Sequence, residues 1–339
     1  AYSGEQNIMR TKSGIPTNAV FAFAGMIIKI ISQFKGDEHL LVGFDAHGKT
    51  FRHEELEIYK ANRKPCPEEL IKQMPIAREF LDAMNVKRYE QVGVEGDDIC
   101  GTYAKTVSKL NEKVNIFTSD RDFLQLIDDN IEINVIKKGL SDILILNEEK
   151  MVELYGFKPL QIVDFKGLRG DSSDNLPGIP GIGEKTATKL IQEYGSFENI
   201  LENADKIGGK VGQNLKEHCE TGKCSKHLAL IKTDVELPFN HEDTLYKGYE
   251  FDKINEFLQK YELKSILNRL PKNYKNIEEN KKKEITYSKV DDLKTLSTDE
   301  QYGIYVDRND ENYHYGQAYG VAITDSNNTY YIDLIFVLV

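Results

Sequence analysis

Eight carboxylates stand where a chain delivers functional groups: Asp45, Glu95, Asp97, Asp98, Asp120, Asp122, Asp171 and Asp174. Asp45 and Asp120 end apolar runs that read as strands, Glu95 to Asp98 lie on a loop entering a helix, and Asp171 and Asp174 are three apart. One edge of one sheet could collect them all. Like charges held that close oppose one another's ionisation, so their convergence requires raised pKa values or bound cations. Donor sets made only of oxygen select hard ions such as Mg²⁺ or Mn²⁺ over Zn²⁺. Two such ions about 4 Å apart activate a water and stabilise the leaving oxygen of a phosphodiester, so the expected chemistry is phosphoryl hydrolysis. Each group also has a plainer reading. Asp97 suits a helix N-cap, and Asp171-Ser172-Ser173-Asp174 suits an ordinary polar turn.

The elements that would position these groups follow from hydrophobic spacing. Thr17 to Phe34 carries apolar residues at helical intervals, with Thr17 placed to cap. His39 to Phe44 reads as a buried strand that delivers Asp45. A charged helical stretch runs from about 51 to 84, broken around Pro65 and Pro67 and again at Pro75. It carries Arg52, Lys60, Arg63 and Lys64, whose plain reading is a solvated face paired with Glu54, Glu55 and Glu57. Gly96-Asp97-Asp98 opens a helix toward Leu110, and Val114 to Thr118 is a second strand ending at Ser119-Asp120. Alternating strand and helix predicts an α/β core with a mainly parallel sheet, whose sites lie beyond the carboxyl ends of the strands.

After Gly167 the pattern becomes helical with glycine-rich hinges. The stretch Gly178 to Lys189 resembles a helix-hairpin-helix, a backbone-binding unit. Its glycines permit tight turns, and the amides opening the helix Glu184 to Tyr194 can receive a phosphate. Gly181, Gly183, Lys185, Thr186 and Lys189 are the expected DNA contacts. A P-loop is excluded, because Gly183-Glu184-Lys185-Thr186 interrupts the required Gly-Lys-Ser/Thr and no strand precedes it. The expected organisation is an α/β core at 1–168 that includes the charged helical stretch near 51–84, a helical DNA-binding region at 169–270, a solvated linker at 271–289 and an incomplete domain at 290–339. The last contains the strands Gly303 to Val306 and Tyr319 to Ile323.

The 339 residues and 40% apolar content suffice for two cores, and no run of eighteen apolar residues spans a membrane. The balance of 44 basic against 55 acidic residues, a net −11, argues against a general nucleic-acid coat, so DNA must be held by local patches or metals. Four cysteines make no disulfide framework, and a reducing cytoplasm is the expected compartment. His218, Cys219, Cys224 and His227 lack the spacing of a zinc finger and read as incidental, while Cys66 and Cys100 read as packing residues.

Six segments in order resemble the 5′-nuclease domain of bacterial DNA polymerase I, within the PIN-like flap endonuclease family. They are Gly14-Ile15-Pro16-Thr17-Asn18-Ala19-Val20; Phe44-Asp45-Ala46; Phe51-Arg52-His53-Glu54 with Tyr59-Lys60-Ala61-Asn62-Arg63; Glu95-Gly96-Asp97-Asp98; Thr118-Ser119-Asp120-Arg121-Asp122; and Gly170 through Gly178. The resemblance implies two divalent cations, Mg²⁺ or Mn²⁺. Asp45, Glu95 and Asp97 would bind one, with Asp98 adjacent, and Asp120, Asp122, Asp171 and Asp174 would bind or support the other. It also implies an arch near 51–84 that clamps the 5′ strand, with Arg52, Lys60, Arg63 and Lys64 as DNA contacts and Lys60 and Arg63 beside the scissile phosphate. K⁺ held by carbonyls of the hairpin is implied too, as is catalysis resting on Lys60, Arg63, Asp97 and Asp120. The implied activity is 5′-3′ exonuclease and 5′-flap endonuclease cleavage of DNA, with RNA primers among the substrates, by a monomer joined to a polymerase domain in the parent protein. The family opens with an Asp-bearing strand, and this chain starts just after where that strand should lie. The fragment is therefore expected to be weakly active or inactive, and the parent protein active. The segment from about Val290 looks like the start of a 3′-5′ exonuclease-like domain, with Asp307-Arg308-Asn309 in place of Asp-x-Glu. The alternative function is a non-catalytic, structure-specific DNA-binding module, which metal-dependent cleavage would exclude.

Overall fold

Strand β1 (Leu41–Asp45) pairs in parallel with β2 (Lys87–Gln91), which sets Asp45 opposite Gln91. Strand β3 (Val114–Thr118) pairs in parallel with β4 (Ile131–Ile136), and β5 (Ile143–Leu146) closes that sheet antiparallel to β4. The computed structural model describes residues 8–34, 38–137 and 142–271, and strands at 288–289, 303–308, 318–324 and 329–333. Among these residues no ladder joins β1 to β3, so the single sheet edge expected to gather the carboxylates is instead the ends of two small sheets.

Helix α5 (Gly96–Ser108) ties the two sheets together by packing on β1, β2, β3 and β4. Its buried residues Ile99, Gly101, Thr102, Ala104 and Val107 form a face of small and branched side chains suited to that double contact. Gly43 on β1 lets the helix start approach closely: a Cβ there would sit 2.7 Å from Cys100 Sγ and 2.8 Å from the Gly96 carbonyl. Asp45 and the start of α5 therefore share one place.

Helix α1 (Asn18–Ile31) buries Val20, Ala24, Ile28 and Ile31 at helical spacing. Thr17 does not cap it, because its hydroxyl donates to the Met9 carbonyl. Gln73 Oε1 accepts instead from the amides of Ala19 and Val20, at 2.7 and 3.3 Å. The charged stretch is not one helix either. It forms α2 (Phe51–Glu55), turns through 57–63, α3 (Glu68–Ile71) and α4 (Met74–Ala83), since Pro65 and Pro67 bar helix between α2 and α3. Strand β2 has no alternating apolar signal in Lys87-Arg88-Tyr89-Glu90-Gln91; pairing to β1 and packing of α4 and α5 define it.

The remaining helices are α6 (Glu148–Tyr155), α7 (Gln161–Arg169), α8 (Glu184–Tyr194), α9 (Phe197–Glu202), α10 (Ala204–Ile207), α11 (Gly209–Glu217), α12 (Cys219–Ala229) and α13 (Phe251–Lys260). Helical structure thus takes over before Gly167. One core joins β4, β5 and α5 to the helical part through Ile131, Ile133, Leu146, Met151, Leu168 and Phe197. A second packs α1, α4 and α13 around Phe80, Leu81, Ile254 and Phe257.

The chain divides into compact units Ala1–Ile277 and Glu278–Val339. In the second unit, strands β6 (Ser288–Lys289), β7 (Gly303–Arg308), β8 (Ala318–Thr324) and β9 (Thr329–Asp333) form a sheet ordered β6-β9-β8-β7. Positions 272–287 of the expected linker, and Asn309, lie outside the described residues.

Candidate metal centre

Two sets of carboxylates form, one at the start of α5 and one around a turn after α7. Glu95 occupies the N-cap of α5 in a reciprocal capping arrangement with Asp98, so the cap expected at Asp97 belongs to Glu95. Asp45 Oδ1 accepts from the Gly96 amide at 2.7 Å, which fixes the end of β1 against the same helix terminus. Glu95 Oε2 receives Lys60 Nζ at 2.8 Å and the Tyr59 hydroxyl at 3.3 Å, and Oε1 faces the Thr50 hydroxyl at 3.5 Å. Burial pushes the Asp97 carboxyl up to about 7, reinforced by the negative charges of Asp120, Glu95 and Asp45 and opposed by Lys60. Those influences come from both sheets, so Asp97 is the electrostatic meeting point of the two sets.

In the second set, Asp120 caps the short 3₁₀ turn Arg121–Leu126 by accepting from the Asp122 amide at 2.9 Å. Asp122, Asp171 and Asp174 each place one carboxylate oxygen within 4.8 Å of the others. Lys166 on α7 reaches between them, contacting Asp122 and lying 2.6 Å from Asp171 Oδ2. Burial drives Asp122 up to about 6 despite Lys166, with Asp120 and Asp174 adding repulsion. Burial acts on Asp171 in the same direction, but Lys166 and the Ser173 hydroxyl and amide outweigh it and hold the carboxyl down at about 2. Asp174 Oδ1 receives Arg63 Nη2 at 2.6 Å, and its Oδ2 faces the Tyr59 hydroxyl at 3.5 Å.

The turn carrying Asp171 and Asp174 is closed by a bridge from Asp171 to Leu176. Gly178 backs it at φ 63°, and a Cβ there would fall 2.2 Å from the Gly170 nitrogen. This glycine permits a conformation and an approach that no other residue permits.

Two expected site residues serve elsewhere. Asp98 is 0% exposed and accepts both arms of Arg52, at 2.7 and 2.8 Å, as well as the amides of Lys232 and Glu95. Its oxygens are occupied by these donors, so in this structure it anchors Arg52 and two backbone amides. Arg52, at 3% exposed, also bonds the carbonyls of Leu228 and Leu230, which removes it from the expected DNA-binding set. Cys66 is exposed, against the expectation of packing, whereas Cys100 lies against Gly43 and burial pushes its thiol up to about 12. His227 pairs with Glu55 and Cys219 with Glu220, and among the described residues the zinc-like quartet gathers into no cluster.

Downstream, the hairpin between α7 and α8 is pinned inward by buried Ile179 and Ile182 and by Asn214 Nδ2 donating to the Pro180 carbonyl at 2.7 Å. Gly181 has φ 78°, and Gly183 takes the N-cap of α8 in extended backbone, with no side chain capping the helix. Lys185 and Lys189 are exposed on α8, and Thr186 is half-buried. Lys64 is also exposed.

Residues 1–156 match the model of the 5′-3′ exonuclease N-terminal resolvase-like domain, and residues 157–253 match that of the 5′-3′ exonuclease C-terminal SAM fold. The chain belongs to the 5′-3′ exonuclease family. It is 36% identical over 327 residues to DNA polymerase I of Bacillus subtilis (strain 168), covering 96% of this chain and 37% of that protein. It is 35% identical over 326 residues to DNA polymerase I of Bacillus caldotenax, again spanning 37% of its length. A bacteriophage T5 flap endonuclease crystallised with DNA and metal ions shares the fold at TM-score 0.54 and 23% identity, covering 74% of this chain and 90% of that one. The catalytic core of Rad2 with a DNA substrate shares it at TM-score 0.51 and 14% identity, covering 77% and 85%.

For a member of this exonuclease family, the donor chemistry fits divalent cations: Asp122, Asp171 and Asp174 converge through oxygen alone, and Asp97 is held by its neighbours in a state that a cation would relieve. Sequence reasoning missed Tyr59 and Lys166. Lys166 had a legible signal, because it stands with Ile162, Val163 and Gly167 on the buried face of α7, where a lysine needs a partner. Tyr59 had none beyond its place next to Lys60.

Proposed function

We propose that this chain hydrolyses DNA phosphodiesters at 5′ flaps and 5′ ends, with divalent cations held by two carboxylate sets. Asp45, Glu95 and Asp97 form the first set; Asp120, Asp122, Asp171 and Asp174 form the second. The observation that carries the reading is the convergence of Asp122, Asp171 and Asp174, with Asp97 coupled to both Asp45 and Asp120. When bound, the cations supply Lewis-acid activation of water and stabilisation of the leaving oxygen. Mg²⁺ or Mn²⁺ suits the all-oxygen donors.

The chain's own residues supply the rest. Lys60 and Arg63 stand at the rim of the carboxylates and can offset charge developing on the scissile phosphate. Lys64 extends that positive rim. Gly181, Gly183, Lys185, Thr186 and Lys189 present amides and ammonium groups to the duplex backbone, with hairpin carbonyls offering a K⁺ site. The T5 endonuclease complex with DNA and metal ions and the Rad2 complex with DNA support this reading. The DNA polymerase I relatives support a setting beside a polymerase domain; RNA primers among the substrates, action as a monomer and a bacterial cytoplasmic location belong to the same proposal. No helix among the described residues is long and apolar enough to cross a membrane.

The test is cleavage of an end-labelled 5′-flap duplex with Mg²⁺, run on this chain, on a version carrying the Asp-bearing first strand expected from the resemblance, and on each with Asp120→Asn. Junction cuts that vanish with EDTA and with Asp120→Asn establish the activity. Flap binding without cuts from either version transfers the assignment to a non-catalytic DNA-binding module.

A further inference from the structure

Two turns are stitched together over the carboxylates. The Lys60 amide donates to the Asp174 carbonyl at 2.9 Å, Asn62 Nδ2 to the Ser172 carbonyl at 2.7 Å, and Arg63 Nε to the Ser173 carbonyl at 3.3 Å. Asn175 Nδ2 returns a bond to the Ile58 carbonyl at 2.6 Å. Lys60 sits at φ 55°, in the left-handed region that a lysine enters only when its surroundings hold it there. The result is a fixed aim for two long cationic side chains: Lys60 Nζ lies 2.8 Å from Glu95 Oε2, and Arg63 Nη2 lies 2.6 Å from Asp174 Oδ1.

Glu95 and Asp174 belong one to each carboxylate set, so each set already contains a cation of the chain's own. An oxygen that ligates a divalent ion cannot keep an ammonium or guanidinium at the same distance without strong like-charge repulsion between the two cations. We propose that Lys60 and Arg63 are built-in counter-ions that compete with divalent cations for Glu95 and Asp174, so that metal loading turns these side chains outward to the DNA phosphate. This rests on the metal-nuclease reading above. Metal binding and DNA binding are then coupled through the same two residues. Removing either side chain tightens metal binding in DNA-free protein while it weakens cleavage. A residue that only held the fold, or only touched DNA, would not produce those opposite signs. Lys64 is the local control, being exposed immediately after that turn and, among the described residues, without an ion-pair partner.

The experiment titrates Mn²⁺ into the DNA-free chain and follows free Mn²⁺ by electron paramagnetic resonance, comparing Lys60→Met, Arg63→Met and Lys64→Met, with flap cleavage assayed in parallel. The expected result is Mn²⁺ affinity about three- to tenfold tighter for Lys60→Met and Arg63→Met, the scale of one charge-assisted contact, and within about twofold of the unaltered chain for Lys64→Met. Unchanged or weaker affinity in both variants, or equal tightening by Lys64→Met, overturns the proposal. If the unaltered chain binds Mn²⁺ and cuts flaps while the variants fail to tighten, only the counter-ion role falls. If it binds no Mn²⁺, the metal-nuclease reading falls with it.

Discussion

Arg52 closes on Asp98 with two hydrogen bonds, Nη1 to Oδ2 at 2.7 Å and Nη2 to Oδ1 at 2.8 Å, in the interior of the protein. The same guanidinium bonds the carbonyls of Leu228 and Leu230, so one residue of α2 locks the start of α5 to the C-terminal end of α12. Removing one partner strands a buried charge, and Arg52→Met or Asp98→Leu is expected to destabilise the protein by about 3–5 kcal/mol. Removing both leaves no stranded charge, so the double variant should lose clearly less than the sum of the two. Urea denaturation of the three variants measures this coupling, and strictly additive losses would contradict it.

Gly178 is the second fixed point, because the turn with Asp171 and Asp174 folds back on it. A methyl group there meets the backbone of Arg169 and Gly170 at 2.2 to 2.7 Å in a left-handed conformation. Gly178→Ala is expected to cost roughly 1–3 kcal/mol or more in stability and to displace both aspartates. Cleavage should therefore fall further than the fraction of folded protein does, as circular dichroism and flap cleavage on the same sample would show. Full activity in a destabilised variant would mean that the turn tolerates movement.

How far the sequence reveals this site depends on whether a residue's role is local. Strands β1 and β3, helix α5 and helix α8 follow from apolar spacing and glycine placement, and with them the positions of Asp45, Glu95, Asp97 and Asp120. Strand β2 did not follow, since Lys87 to Gln91 owes its form to β1 and α4. The eight carboxylates looked equivalent in the sequence. Only tertiary partners separate Asp98, surrounded by donors on every side, from Asp97, surrounded by like charge. Arg52 looked like Lys60 for the same reason. Distance along the chain hides that one points to Asp98 and carbonyls inside while the other meets Glu95 at the rim.

Asp97 gives a pH dependence whose sign is fixed. Its carboxyl is pushed up to about 7 by burial and by neighbouring acids, above its value in the unfolded chain. The folded state therefore binds more protons than the unfolded state between those two values, and stability is lost as pH rises through about 7. In EDTA, Asp97→Asn is expected to be more stable than the unaltered chain by roughly 2–4 kcal/mol at about pH 8, with the gap closing toward about pH 4. Thermal melts across that range test it, and a gap independent of pH would show that the ionised carboxylate is not the source.

Lys166 has the opposite electrostatic duty. Its ammonium contacts Asp122 and Asp171, and it is the reason that Asp171 stays at about 2 although burial works against ionisation. A depressed carboxyl contributes stability above its unfolded value, and that stability disappears as pH falls toward about 2. Lys166→Met removes the cation and leaves Asp122, Asp171 and Asp174 to repel one another. In EDTA at neutral pH the variant should be less stable by about 2–4 kcal/mol, with the gap narrowing as pH falls and the crowded carboxyls take up protons. Divalent ions reverse the order of effects, because a bound cation replaces the missing charge and stabilises the folded state by mass action. Saturating Mn²⁺ should therefore raise the Tm of Lys166→Met by more than it raises that of the unaltered chain. Equal shifts in the two proteins would place Lys166 outside the electrostatics of the site.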